Sequence, residues 1–156
     1  DLGSRWQNQR IDLQAEAFSD MNGKTGNLAI ARGALIENLR TGSGVDHITG
    51  NTADNTLESG AGDDTILGQG GNDILVGGAG ADTLVGGAGS DAYLFERNDG
   101  NDVIVDFDPA MDVIAIQETP SLFVDIAGGT VIEFGATQIY VLGVTADLVE
   151  ARLTFL

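Results

Sequence analysis

Three aspartates stand nine residues apart in the stretch GQGGNDILVGGAGADTLVGGAGSDAYL, residues 68–94: Asp73, Asp82 and Asp91. Glycines crowd the five positions ahead of each, and one apolar side chain follows two places later, Leu75, Leu84 and Tyr93. Carboxylates at such spacing could hold a metal ion, work as acid and base, or keep a surface hydrated. Which of these applies depends on whether the chain stacks them.

Counting back by nines, SGAGDDTIL (59–67), GNTADNTLE (50–58) and TGSGVDHIT (41–49) align without a gap, so six nonapeptides run from Thr41 to Leu94. Their sixth positions read Asp46, Asn55, Asp64, Asp73, Asp82 and Asp91, and their eighth positions Ile48, Leu57, Ile66, Leu75, Leu84 and Tyr93. Positions one to six read as a turn, in which glycine permits positive φ and carbonyl oxygens point at a shared spot. Positions seven to nine read as a three-residue strand with only the eighth side chain inward. If two nonapeptides complete a coil, Asp46, Asp64 and Asp82 form one column and Asn55, Asp73 and Asp91 the other. Neighbours in a column then lie one strand spacing apart, roughly 4.8 Å.

Like charges that close repel unless a cation sits between them. Calcium suits the gap, because it takes about six to eight oxygens at about 2.3–2.6 Å and accepts carbonyls as readily as carboxylates. Zinc prefers His or Cys. The chain has no Cys and one His, and His47 occupies an outward seventh position that reads as plain surface.

Composition narrows the partners. Twenty-four acidic residues against seven basic argue against nucleic acid, since phosphate contacts need Lys and Arg. No apolar run is long enough to cross a bilayer, no charged stretch ahead of an apolar one reads as a secretory leader, and no membrane insertion is expected. The chain opens on Asp1 and reads as a processed product or an excised C-terminal piece. A disordered acidic tail would not hold Leu, Ile and Val in register. The P-loop, the EF-hand loop and H-E-x-x-H are absent, and one histidine offers no triad. No catalytic residue is expected in this chain.

The flanks read differently. Residues 1–40 carry short β-like runs, Arg10–Leu13, Asn27–Ala31 and Leu35–Leu39, separated by turn residues such as NGKTGN, and read as capping coils. Trp6 and Phe18 read as packing in that cap. After Leu94 the register slips by two residues, and RNDGNDVIV (97–105) restores Gly100, Asp102 and Ile104. FDPAMDVIA (107–115) keeps Asp112 and Ile114 without the glycines, so a site there would be poor. Residues 41–115 thus form the repeat region. The remainder, 116–156, reads as an antiparallel cap of LFVDI, TVIEF and TQIYVL, then a helical turn from Ala146 with Thr145 as its cap, and a final strand.

The nonapeptides resemble the calcium-binding repeats of RTX proteins. Together with the QNQRIDL and GNLAIARGALIEN segments, they make nearly the whole chain similar to the C-terminal domain of serralysin-type secreted metalloproteases. The resemblance implies an all-β fold, a right-handed parallel β-roll with two nonapeptides per coil. It also implies several bound calcium ions, roughly three to five, an upstream catalytic domain on the same polypeptide, and a C-terminal signal read by type I secretion machinery.

The family's ligand pattern, carried over, takes positions two, four and six of one loop with one, three and six of the loop eighteen residues on. The first site then draws on Gly42, Gly44 and Asp46 with Ser59, Ala61 and Asp64, the second on Gly60, Gly62 and Asp64 with Gly77, Ala79 and Asp82. In the other column Gln69, Gly71 and Asp73 join Gly86, Ala88 and Asp91. A fourth site takes Gly78, Gly80 and Asp82 with Asp102. A polysaccharide-binding or adhesin-type repeat module of another secreted hydrolase or epimerase is the alternative reading.

Overall fold

The computed structural model describes residues 7–15, 18–21, 24–117 and 119–156; Trp6 and the side chain of Phe18 lie outside what is described. The chain opens with β1 (Arg10–Asp12), β2 (Phe18–Met21), β3 (Lys24–Ala29) and β4 (Asn38–Arg40). The repeats follow as β5 (His47–Thr49), β6 (Thr56–Ala61), β7 (Thr65–Gly70), β8 (Ile74–Ala79), β9 (Thr83–Ala88) and β10 (Ala92–Phe95). Then come β11 (Asn101–Ile104), β12 (Val113–Ile116), β13 (Leu122–Ile126), β14 (Gly129–Phe134), β15 (Thr137–Leu142), α1 (Ala146–Glu150) and β16 (Leu153–Phe155).

From β4 onward successive repeat strands alternate between two sheets, which is how a solenoid winds. One sheet runs β13-β14-β15-β11-β9-β7-β5-β1-β2-β3, the other β16-β12-β10-β8-β6-β4. Parallel pairing joins Ile48 to Ile66 and Ile66 to Leu84 in the first, and Leu39 to Leu57 and Leu57 to Leu75 in the second. Each step is eighteen residues, so two nonapeptides complete a coil. Beyond Leu94 the two-residue insertion absorbs into the end of β10 and the following turn, and Leu84 pairs with Ile104.

The core follows from this register. Ile11, Ile48, Ile66, Leu84 and Ile104 stack from one sheet onto Leu57, Leu75, Tyr93 and Ile114 from the other, all fully buried. Burying each aliphatic contributes about 1.5–3 kcal/mol, but the interior is only two side chains thick.

The strands are longer than the sequence reading expects. β6 to β9 each span six residues, from position seven through position three, and positions eight and one both face inward. A residue with no side chain, or with a hydroxyl, at position one allows the ladder to continue where a turn was expected. Only positions four to six then turn the corner, and the strand bends at position two, where Gly60, Gly78 and Gly87 have φ between 92° and 106°. Gln69 holds the same place at φ 82°. A side chain there is strained by about 1–2 kcal/mol, and glycine returns part of that in chain entropy. Gln69→Gly is therefore expected to stabilise the metal-loaded fold by up to about 1 kcal/mol, read as a raised thermal midpoint.

Two corrections concern the ends. Lys24–Gly26, read as part of a turn, belongs to β3, which pairs antiparallel with β2. Thr145 flanks α1 without a side-chain cap bond; the Asp125 carboxylate accepts the Ala146 N–H instead, at 2.6 Å. The C-terminal hairpins β13-β14-β15 form as read, antiparallel within themselves. They join the roll by parallel pairing of β15 with β11, while β16 adds in parallel to β12.

Candidate metal centre

Each turn ends on its sixth residue, whose backbone N–H donates to the carboxylate of the sixth residue one coil later. In the first column Asp46 donates to Asp64 Oδ1 at 2.7 Å, Asp64 to Asp82 at 2.8 Å and Asp82 to Asp102 at 3.0 Å. In the second, Asn55 donates to Asp73 at 2.7 Å, Asp73 to Asp91 at 2.9 Å and Asp91 to Asp112 at 2.9 Å. These bonds fix one oxygen of every carboxylate and aim the other into the turn.

That second oxygen is the anomaly. Oδ2 of Asp46, Asp64, Asp73, Asp82, Asp91 and Asp102 is buried with no hydrogen-bond partner. An orphaned buried acceptor costs about 1–3 kcal/mol, more when charged, so each oxygen needs a proton or a cation. Burial, the dominant cause, pushes the carboxyls upward, helped by column neighbours for Asp73, to about 6, and Asp82, to about 8, and by Asp99 for Asp102, to about 7. Asp64 and Asp91 move in the same direction for the same first reason.

These shifts carry a sign. The folded metal-free chain binds more protons than the unfolded chain between about pH 4 and pH 8, so its stability falls as pH rises through that window. In chelator, the chain is expected to be more structured near pH 4 than near pH 8, read by far-ultraviolet circular dichroism. Added calcium should reverse the trend.

Glycine makes room for the carboxylates. A Cβ on Gly68, Gly77 or Gly86 at position one would collide with the carboxylate of Asp73, Asp82 or Asp91 in the same repeat. At position four, a Cβ on Gly62, Gly80 or Gly89 would strike the carbonyl oxygen of Gly44, Gly62 or Gly71 one coil earlier. Position two repeats the arrangement, with the carbonyls of Gly42, Gly60 and Gln69 against Gly60, Gly78 and Gly87. Positions two and four thus stack each on the same position one coil away.

Several of those carbonyls already accept one ladder bond. Gly42 accepts from Ala61 N–H, and Ala61, Ala79 and Ala88 accept from Gly44, Gly62 and Gly71, at 2.8–3.0 Å. The Ser59 and Gly77 carbonyls take the hydroxyls of Thr41 and Ser59, both at 2.8 Å. A carbonyl has two lone pairs, so one remains. Among the described residues no three metal-ligating side chains converge. A cation held here would rest on two carboxylates and a set of carbonyls, an all-oxygen donor set that fits calcium and suits neither zinc nor copper.

The structure also adds rungs that the repeat does not reveal. Gln9, buried, donates its N–H to Asp46 Oδ1 at 2.6 Å and so stands as the sixth residue of a hidden earlier coil. The Asp99 carbonyl accepts Gly80 N–H at 2.5 Å, as Ala79 does for Gly62, and so stands where the third position of its loop would. Asp54, Asp63 and Asn72 form an outer ladder, each accepting the fifth-position N–H of the next coil. Asp106 accepts the N–H groups of Gly86 and Gly87 and lies against the Tyr93 hydroxyl. Asp112 differs from the orphans, because Asp108 N–H satisfies its second oxygen at 2.8 Å.

A parallel solenoid whose every turn ends on a stacked carboxylate, or an amide in its place, defines a nonapeptide-repeat β-roll module. The chain belongs to the family described as Peptidase M10 serralysin C terminal, whose model matches residues 1–136. It is 50% identical over 58 residues to serralysin from Photorhabdus laumondii, and 45% identical over 58 residues to metallopeptidase AprA from Pseudomonas marginalis. Each match covers 37% of this chain and 12% of the relative, so the chain corresponds to a small part of those proteins. Among solved structures, the extracellular lipase LipA from Serratia marcescens superposes with a TM-score of 0.61 at 20% identity, covering 88% of this chain and 24% of the lipase. That likeness is one of fold.

Proposed function

We propose that this chain is a non-catalytic, calcium-binding module that folds when it meets extracellular calcium. The observation that carries the reading is the set of six buried carboxylate oxygens without partners, stacked in two columns among glycine carbonyls. The ligand sets are those read from the sequence, with the Asp99 carbonyl added to Asp82 and Asp102. The ion supplies positive charge that cancels repulsion within each column. The chain's own residues do the rest: glycines admit the carboxylates, and the N–H of each sixth residue orients the carboxylate of the next coil.

Carboxylates with orphan oxygens bound three interspaces in the first column and one in the second. Calorimetric titration is therefore expected to give about four calcium ions per chain, with magnesium failing because it holds its waters in octahedral geometry. Saturation without heat or binding would end the calcium reading.

The family membership supports a wider proposal. The module stands at the C-terminal side of a secreted protease, residues 1–40 and 116–156 close its ends, and type I machinery exports it while low cytosolic calcium leaves it unfolded. A reporter fused ahead of Asp1 should leave a cell carrying such an exporter, and removing about the last fifty residues, the degenerate last repeat and everything after it, should keep the reporter inside. Export that survives the deletion would refute this part alone.

A further inference from the structure

We infer that the second column of the roll closes at its amino-terminal end without a cation, through an amide clamp of Asn51 and Asn55, and templates the coils that need one. This rests on the calcium reading of the later coils and adds an order of assembly to it.

Asn55 occupies a slot where most other repeats leave a buried oxygen unpaired. Here every polar atom of the side chain is used. Oδ1 accepts Asn51 N–H at 2.9 Å, and Nδ2 reaches the Ile36 carbonyl and Asn51 Oδ1, each at 3.4 Å. Asn51 is engaged as fully: Nδ2 donates to the carbonyls of Ile36 at 2.8 Å and Leu13 at 3.4 Å, and Oδ1 accepts Ala53 N–H at 2.9 Å. Both residues are buried.

The pair ties together three chain segments distant in sequence: the end of β1, the approach to β4, and the second nonapeptide. The other column starts differently, since Gln9 donates its backbone N–H to Asp46 Oδ1 while its side-chain amide donates to the Gln7 carbonyl, and Asp46 Oδ2 stays orphaned. A neutral amide neither repels Asp73 nor carries a desolvated charge, so the clamp holds as well in chelator as in calcium. Elsewhere Asp46, Asp64, Asp73, Asp82, Asp91 and Asp102 find no internal donor for their second oxygen, so the first column lacks such a clamp and the second has it only at its start. What the clamp leaves ready is the free edge of β5 and β6, onto which β7 and β8 add.

Amide hydrogen exchange on the full chain tests this, with excess chelator and with saturating calcium. In chelator the amides of Leu13, Asn51, Ala53 and Thr56, bonded within or beside the clamp, should stay protected on the order of 100-fold. Those of Thr83, Ala92 and Val103 should exchange freely until calcium is added. Exchange of all seven at the same rate in chelator would overturn the template. Asn55→Ala should keep its calcium-loaded circular dichroism yet lose the chelator-resistant protection; protection that persists would overturn it too. The calcium reading fails on a different signal, namely indifference of Thr83, Ala92 and Val103 to calcium.

Discussion

Excess chelator is expected to remove most of the β-sheet signal of this chain at neutral pH, and calcium in the sub-millimolar to millimolar range to restore it cooperatively. The core explains why the effect is large. Between β5 and β9 the interior holds one inward aliphatic row from each sheet, and the remaining inward position is glycine or serine. Against that thin apolar gain stand six buried carboxylate oxygens with no partner. A site with a dissociation constant of about 0.1 mM adds roughly 2.7 kcal/mol at about 10 mM calcium, and four independent sites about 11 kcal/mol. That matches the whole stability of an ordinary domain. A β spectrum unchanged in chelator would contradict the account.

The second large effect belongs to Asp82. Its neighbours in the column are Asp64 on one side and Asp102 on the other, so it borders two interspaces. Asp82→Asn keeps the oxygen that accepts Asp64 N–H and replaces the charged orphan by a neutral donor. Calcium-linked stabilisation should fall by about 5 kcal/mol, two sites' worth, while the metal-free chain gains stability from the lost charge. Asp46→Asn, at the end of the column, should lose about half as much, and Asn55→Ala, which removes no orphan oxygen, should shift the calcium midpoint least. Equal midpoint shifts for all of these would contradict the alternating two-column stack.

The repeat was legible because its period is short and its exceptions few. One gapless count of nines yields the columns, the coil length and the inward eighth position, since stacking requires a fixed register. Strand length was misread at positions one to three. Glycine there signals a turn in isolation, yet its lack of a side chain is what admits the carboxylate and lets the ladder run on. The hidden first coil escaped because Gln9 carries neither the charge nor the glycines of the repeat, though QNQRIDL does place Ile11 two residues after it as an eighth position would. Asp112 is legible as the sixth residue of the degenerate repeat 107–115, whereas Asp106 sits outside the period, and only the three-dimensional path brings it to Gly86 and Gly87. Asp125 lies twenty-one residues from the helix end it caps, beyond the reach of a local capping rule.

The central claim is that the stacked carboxylates hold calcium in their interspaces. Crystals grown in calcium, with anomalous differences measured at long wavelength, test it most directly. Peaks are expected between Asp46 and Asp64, Asp64 and Asp82, Asp82 and Asp102, and Asp73 and Asp91, with none between Asn55 and Asp73. Interspaces without anomalous peaks, or peaks only at surface acids such as Asp54 and Asp63, would contradict it.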